Sequence, residues 1–225
     1  DSIVGNAAVA PVAGRGKRMA GTGEILVEHH ETARDGADAA LDHLAHAHLA
    51  VVAGSAKART QFGSAVLRRL DGFESCRSIR VAPTRDHRPQ AILMRLQHCL
   101  SLQTQTDVIP KAKGESTTER LPLGSEYNTI LQSIHQHLRA VDDCRWQVVL
   151  WPDAGLMAER WPDIFDQVIE VVQHAVRLRE FRDEEPPTLH RWILLGSAAL
   201  EDRVENPLGP LRRGDGLPGL LLKLT

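Results

Sequence analysis

The sequence predicts an α/β protein with three layers, in which a parallel sheet carries helices on both faces. Short apolar segments alternate along the chain with longer segments whose apolar residues recur at helical spacing. Such alternation of strands and helices is typical of a parallel sheet. One apolar segment, Trp146–Trp151, is hydrophobic almost throughout, as expected of a strand that is covered on both faces.

Each predicted element depends on its own local pattern. The predicted strands are 49–53, 78–82, 146–151, 192–195 and 220–224, with a short edge strand at 25–27. The predicted helices are 35–48, 88–102, 126–141 with Ser125 as the cap, and 160–181. Residues 103–124 are polar and show no periodicity, which predicts a long surface loop. Residues 1–34 are interpreted as a flexible N-terminal arm and residues 35–225 as one α/β domain.

Length and composition exclude several classes of protein. The chain has 225 residues, of which 42% are hydrophobic, so it is long enough to bury one sizeable core. Its formal net charge of -2 provides no global field that attracts nucleic acid, although a local basic patch stays open. Aromatic residues make up only 4% of the chain, which argues against a stacking surface for single-stranded nucleic acid.

The cysteines and apolar runs indicate the compartment. The three cysteines, Cys76, Cys99 and Cys144, are far apart and odd in number, which predicts a reducing compartment without a disulfide framework or a zinc site. No apolar run is as long as a membrane span, and the N-terminus has no signal-peptide pattern. Because the chain starts at Asp1, we interpret it as part of a longer protein.

The organising stretch is 49–70, where an apolar run stops at Gly54 and is followed by a small, basic segment at 55–60. An amphipathic segment with Phe62 and Val66 on one face comes next. Strand, tight loop and helix in this order form the layout of a phosphate-binding loop. Because ligands bind at the carboxyl ends of parallel strands, we expect residues 54–60, Asp153 and Ser197 to lie at one edge of the sheet.

Three residue sets together resemble one family. They are the strand-loop-helix at 49–70, the strand with an acidic end at 146–155, and the strand ending RWILLGSAAL, which PLGPLRR follows. Their order resembles the AAA+ ATPases of the general secretion pathway protein A type and their relatives in transposition and pilus systems. The resemblance covers about residues 38–224. It implies a P-loop NTPase-like sheet, ATP and magnesium as the family's cofactors, and a helical lid, which we expect to be absent from residues 1–225.

The chain departs from the family's Walker A pattern, G-x-x-x-x-G-K-[S/T]. Ala53 and Ala58 stand at the two glycine positions and Arg59 at the lysine position, and Thr60 alone matches, at the magnesium-ligating position. Alanine tolerates poorly the dihedral angles at which backbone N–H groups wrap a phosphate. Arginine is bulkier than lysine and does not fit the same cradle, and Lys57 is the alternative cation. With Gly54, these residues form the candidate nucleotide-binding loop.

The second motif, Walker B, departs from the family's pattern as well. The acidic strand ends VVLWPDAG, so Pro152 stands at the position of the magnesium-organising Asp and Asp153 at that of the catalytic Glu. If the alignment is shifted by one residue, Asp153 stands at the magnesium-organising position. Ala154 then stands at the position of the catalytic acid. Ser197 occupies the sensor position. Arg212 and Arg213 fall near the family's arginine-bearing segment, where they contact a neighbouring subunit or form a solvated basic turn.

From these departures the sequence predicts a non-hydrolysing, AAA+-like structural or regulatory subunit with no catalytic residue and no resident cofactor. Two alternatives stay open. One is an active or nucleotide-binding ATPase that uses Lys57 or Arg59, Thr60 as the metal ligand, and Asp153. The other is a module whose loop binds another anion, such as a nucleic-acid backbone. An ordinary basic loop without function is the plainest interpretation.

The resemblance also implies partners and a location. AAA+ domains form rings or filaments, so we expect a homo-oligomer or a mixed assembly with an active AAA+ paralogue. The expected location is the cytoplasm, either free or peripheral to the inner membrane through a partner.

Overall fold

The computed structural model describes residues 25–73, 76–104, 127–139, 146–180, 189–206, 210–211 and 220–224. Its strands are β1 Leu26–His30, β2 Leu49–Gly54, β3 Cys76–Arg80, β4 Trp146–Trp151, β5 Leu189–Gly196 and β6 Leu220–Leu224. Its helices are α1 Ala33–Leu44, α2 Ala56–Leu70, α3 Pro89–Thr104, α4 Asn128–Arg139, α5 Ala154–Arg160, α6 Pro162–Glu180 and α7 Ala198–Glu205.

The described strands form one sheet in the order β1-β6-β2-β5-β4-β3, and every neighbouring pair is parallel. The predicted parallel sheet is therefore confirmed. Strand β5 lies between β2 and β4, with Ala53 beside Gly196 and Trp151 beside Leu194. The two strands that carry the motifs thus end at the same edge, one strand apart.

Helices cover both faces of this sheet, which confirms the three-layer architecture. On one face, α1 and α2 pack their buried residues, including Phe62 and Val66, against β2, β4, β5 and β6. On the other face, α3, α4, α6 and α7 form a larger cluster that contains Trp151 and Trp192. This double coverage explains why β4 has a continuous hydrophobic sequence.

The short edge strand predicted at 25–27 is confirmed as β1, which extends to His30. Strand β1 and the start of α1 lie within the segment that we assigned to a flexible arm, and residues 1–24 lie outside the described residues. Thr32 fixes the start of α1, because its hydroxyl accepts a hydrogen bond from the Asp35 backbone N at 3.1 Å. Strand β1 pairs with β6 at the sheet edge and leaves Leu26 and Val27 about half exposed, so its sequence carries little strand pattern. The boundary at residue 34 stays a prediction.

The predicted helix 160–181 is confirmed as α6, and α5, a short helix that was not predicted, precedes it. Trp161 separates them with φ -138° and ψ 63°, which is not helical. Pro162 causes the break, since proline disfavours the helical conformation of the residue before it and is well suited to a first helical position. Helix α7 was not predicted, because it has only eight residues and buries only Leu200 and Val204.

Candidate functional site

The candidate site lies where β2, β5 and β4 end, at the edge of the sheet that also receives the start of α2. Gly54 ends β2, Gly196 ends β5, and Trp151 ends β4 two residues before Asp153. Ser197 and Asp153 directly precede α7 and α5. The residues that we expected at one edge therefore follow neighbouring strands of the same sheet.

The connection between β2 and α2 consists of a single residue, Ser55. The predicted loop at 55–60 is therefore wrong, because α2 begins at Ala56. The Ser55 hydroxyl accepts a hydrogen bond from the Ala58 backbone N at 3.2 Å, and its carbonyl accepts one from the Arg59 N at 3.0 Å. Serine is a favoured N-cap and alanine the strongest helix former, so this sequence starts a helix where a phosphate loop needs open backbone.

The cationic and hydroxyl residues of the expected loop are helical as a consequence. Lys57, Arg59 and Thr60 lie in the first turns of α2. The Thr60 hydroxyl donates to the carbonyl of Ala56 at 2.9 Å, one helical turn back. Lys57 is exposed, whereas Arg59 is half-buried. This segment presents no loop of backbone N–H groups that wraps around a ligand.

Gly54 is explained by the packing of the sheet. A Cβ atom at Gly54 would lie 2.9 Å from the Leu224 carbonyl oxygen and 3.0 Å from the Leu224 Cβ. These two residues are register partners at the ends of β2 and β6. The tight backbone contact requires a glycine at this position whether or not a ligand binds nearby.

The Asp153 side chain is buried and hydrogen-bonded within the protein. Its Oδ2 accepts a hydrogen bond from the Thr84 backbone N at 3.1 Å. Burial raises the pKa of Asp153 above its ordinary value, although the hydrogen bond from Thr84 and the nearby charge of His87 act in the opposite direction. The carboxylate that the active-ATPase alternative assigns to magnesium or water thus holds the segment that follows β3.

The start of α5 is packed tightly against the end of β5. A Cβ atom at Gly155 would lie 2.5 Å from the Gly196 Cα and 3.2 Å from the Ser197 backbone N. Ser197 itself is exposed, and its side chain does not cap α7. A polar hydroxyl therefore lies at the expected sensor position, directly beside the turn that carries Asp153.

Three further expectations concern a metal site, a membrane span and an interface. Within the described ranges, no group of three or more His, Cys, Asp or Glu residues is arranged to hold a metal ion. Among the same residues, no helix is long and apolar enough to cross a membrane. Arg212 and Arg213, Ser125, and residues 105–126, which include most of the expected loop 103–124, lie outside the described residues.

Sequence reasoning missed a groove beside this edge, between the segment that follows β3 and the exposed side of α3. The groove has a volume of about 780 Å³ and is lined by residues between Pro83 and His98, among them Arg85, Arg88 and Arg95. The signal was present, because arginines at 85, 88 and 95 surround the start of a predicted helix.

Together, the sheet and the site define an α/β protein whose strand ends carry polar residues at two strand-helix junctions. No protein-family model matches the sequence, and a search of curated proteins found no match. A similar solved structure is that of a Walker-type ATPase from Pyrococcus abyssi, with 13% sequence identity and a TM-score of 0.47. The match covers 86% of this chain and 54% of the other, so this chain spans about half the length of that protein.

Proposed function

We propose that the chain is a non-hydrolysing, AAA+-like module that acts as a structural or regulatory subunit of a larger assembly. The observation that carries the proposal is the single-residue connection between β2 and α2. A phosphate-binding loop needs several residues of open backbone between strand and helix, so that successive N–H groups can face the phosphates. Here those residues belong to the first turns of the helix.

The relation to P-loop ATPases is supported by the strand order. The strand that ends at Gly54 and the strand that precedes Asp153 are separated by one strand, β5, which the polar residue Ser197 follows. This arrangement has the layout that the family resemblance implies for the Walker A, sensor and Walker B strands. The chain would thus have the architecture of that family, with helix in place of the open phosphate-binding loop.

The absence of hydrolysis is supported by the second motif as well. Pro152 provides no carboxylate, and Asp153 is buried and already accepts a hydrogen bond from Thr84. Hydrolysis requires one group that organises magnesium and another that orients the attacking water. A single carboxylate cannot meet both requirements.

The proposed role needs partners, which are either further copies of this chain or an active AAA+ paralogue. The proposed compartment is the cytoplasm, either free or at the inner membrane through that partner. In such an assembly, this chain contributes its fold and surfaces while the paralogue hydrolyses ATP.

The experiment is a calorimetric titration of the purified chain with ATP and magnesium, combined with a phosphate-release assay. An active AAA+ ATPase serves as the positive control for both measurements. We expect no heat beyond dilution and no phosphate above the buffer rate. Phosphate release that Asp153→Ala abolishes would contradict the proposal.

A further outcome is binding without release. This outcome would contradict the inference that helix in place of a phosphate-binding loop prevents nucleotide binding, and it would make nucleotide a regulatory ligand of this subunit. The variant Lys57→Ala/Arg59→Ala then reports whether the start of α2 holds the phosphates, because it removes both cations and leaves the Ser55 cap in place.

A further inference from the structure

The groove beside α3 is built from two pieces of chain. Residues 83–88 connect β3 to α3, and the exposed side of α3 contributes Ala91, Met94, Arg95 and His98. These four positions recur at the spacing of one helix face. The opposite face of the helix is buried in the core through Ile92, Leu93 and Leu96, so the groove side has a fixed orientation.

Three arginines and one histidine belong to this lining. Arg85, Arg88, Arg95 and His98 are exposed and Asp86 is the acidic residue among the lining side chains. Asp86 pairs with Arg88, whose Nη2 lies 2.5 Å from the Asp86 Oδ2, and this pairing lowers the pKa of Asp86 to about 2. Arg85 and Arg95 make no ion pair with any described residue, so both charges face the groove uncompensated.

The segment that carries Arg85 and Arg88 is held in place by its own hydrogen bonds. Asp153 accepts from the Thr84 N, the Thr84 hydroxyl donates to the Asp86 carbonyl at 3.2 Å, and the Arg88 N donates to Asp86 Oδ1 at 3.1 Å. Ordered backbone reduces the entropy that binding must overcome. The cations are therefore presented from a defined scaffold.

The groove is open and extended, which favours a linear ligand. From the first turn of α3 to His98 the helix advances by about 12 Å, and Arg85 lies before that turn. A nucleic-acid strand carries one phosphate for roughly every 3.4 Å of duplex axis, so several phosphates fit this length. Arg85 and Arg95 can each bind a phosphate through two N–H groups, which lysine cannot do, whereas Arg88 already donates from Nε and Nη2 to Asp86.

The composition of the lining favours nucleic acid over a protein partner. Protein interfaces depend on a buried aromatic or aliphatic anchor, and the large exposed apolar side chain in the lining is Met94. Interfaces with nucleic acid are more polar and more positively charged. The low aromatic content of the chain argues against stacked bases, which leaves the backbone as the part of the ligand that is recognised.

We propose that the groove lined by Arg85, Arg88, Arg95 and His98 binds the sugar–phosphate backbone of a nucleic acid without reading its sequence. This proposal is independent of the nucleotide-binding loop and of the proposed loss of hydrolysis. It assigns a ligand to a part of the surface that the Walker-like motifs leave unused.

The test measures fluorescence anisotropy of a labelled DNA duplex of mixed sequence, titrated with the chain in the absence of nucleotide. We expect binding at about 50 mM salt that weakens steeply towards about 200 mM, because counterions are released from the contacted phosphates. With two or three phosphates contacted, the logarithmic salt slope is about -2 to -3. A duplex of different sequence should bind equally well.

The decisive variant is Arg85→Glu/Arg95→Glu, which should weaken binding at least tenfold and reduce the salt slope by about two. The matched control is Arg34→Glu/Arg68→Glu, which changes the net charge equally at exposed arginines on α1 and α2. The control should retain most of the affinity. Arg85→Gln/Arg95→Gln provides the milder change if the charge reversal impairs folding, which circular dichroism checks.

Three results would overturn the proposal. The first is no binding of the duplex at low salt. The second is an equal loss in the control variant, which would indicate a general charge effect. The third is labelled poly-L-glutamate that binds as tightly as the duplex and competes with it, which would indicate an acidic protein segment as the partner.

Discussion

Gly155 and Gly196 are in backbone contact, so close that a Cβ atom on Gly155 would lie 2.5 Å from the Gly196 Cα. The contact joins the start of α5 to the end of β5. It holds the turn that carries Asp153 against the junction that carries Ser197. Because both partners are backbone atoms, neither can move aside as a flexible side chain would.

Gly155→Ala should therefore destabilise the protein, since the added methyl group forces the backbone of α5 away from β5. We expect a loss of about 1–3 kcal/mol in the free energy of unfolding, the usual cost of overpacking. Urea denaturation followed by circular dichroism measures this loss. Gly63→Ala is the control, because its Cβ would meet the Leu150 Cδ2 at an ordinary 3.7 Å and alanine favours the helix. Equal stability of the two variants would contradict the close contact.

Gly36 in α1 allows a second test, in which the obstructing atom belongs to a side chain. A Cβ atom at Gly36 would lie 2.9 Å from the Leu224 Cδ2. We expect Gly36→Ala to destabilise the wild type, because the added methyl group meets Leu224. In the Leu224→Ala variant the same substitution should be stabilising by about 0.5–1 kcal/mol, because glycine is a poor helix former. A double-mutant cycle by urea denaturation measures the coupling. Additive effects would show that the two residues do not compete for space.

The pH dependence of stability should report on Asp153. Burial raises its pKa in the folded state above the ordinary value of 3.8, so the folded state binds the proton more tightly than the unfolded state does. The contribution of this group to stability is therefore greatest below pH 3.8 and is lost as the pH rises through the folded-state pKa.

Asp153→Asn removes this titration and keeps an oxygen that can accept from the Thr84 N. Relative to this variant, the wild type should become less stable as the pH rises from 3.8 through the raised pKa, with a constant difference at higher pH. Denaturation at a series of pH values gives the difference. A wild type that gains stability over the variant in this range would mean that the Asp153 carboxylate is stabilised by the fold.

Ser55→Ala tests whether α2 begins where β2 ends. Loss of the hydroxyl that accepts from the Ala58 N should cost about 1 kcal/mol of stability, as for other N-caps. Ser64→Ala is the matched control, because the Ser64 hydroxyl donates to the Thr60 carbonyl inside α2 and alanine is the better helix former. An unchanged stability in Ser55→Ala would support the open loop that the sequence predicted.

The fold followed from hydrophobic pattern, and its irregularities followed from single residues. The predicted strands at 49–53 and 146–151 agree closely with β2 and β4, because central strands of a parallel sheet bury both faces and need apolar residues throughout. Strand β1 was harder to predict, since an edge strand with exposed Leu26 and Val27 has little such pattern. Helix α5 was not predicted, because its seven residues are too few for a helical pattern, and Pro162 separates it from α6.

The candidate site was less predictable, because its geometry depends on residues distant in sequence. The letters of 53–60 showed which residues depart from a Walker A pattern, but not that the helix begins at Ala56. The hydrogen bond between Asp153 and Thr84 joins the segments that follow two neighbouring strands, and no local sequence pattern predicts it. Gly54 illustrates the same limit, since its role became clear only beside Leu224.

The position of β6 has a consequence for the order in which the sheet can be completed during synthesis. Strand β6 lies between β1 and β2, yet β1 ends at His30 and β6 begins at Leu220. Since ribosomes add roughly 5–20 residues per second, β6 is synthesised many seconds after β1 and β2, the two strands with which it pairs. Until β6 is made, the edge of β2 that pairs with β6 in the finished sheet has no partner, and chaperone protection would be most valuable there.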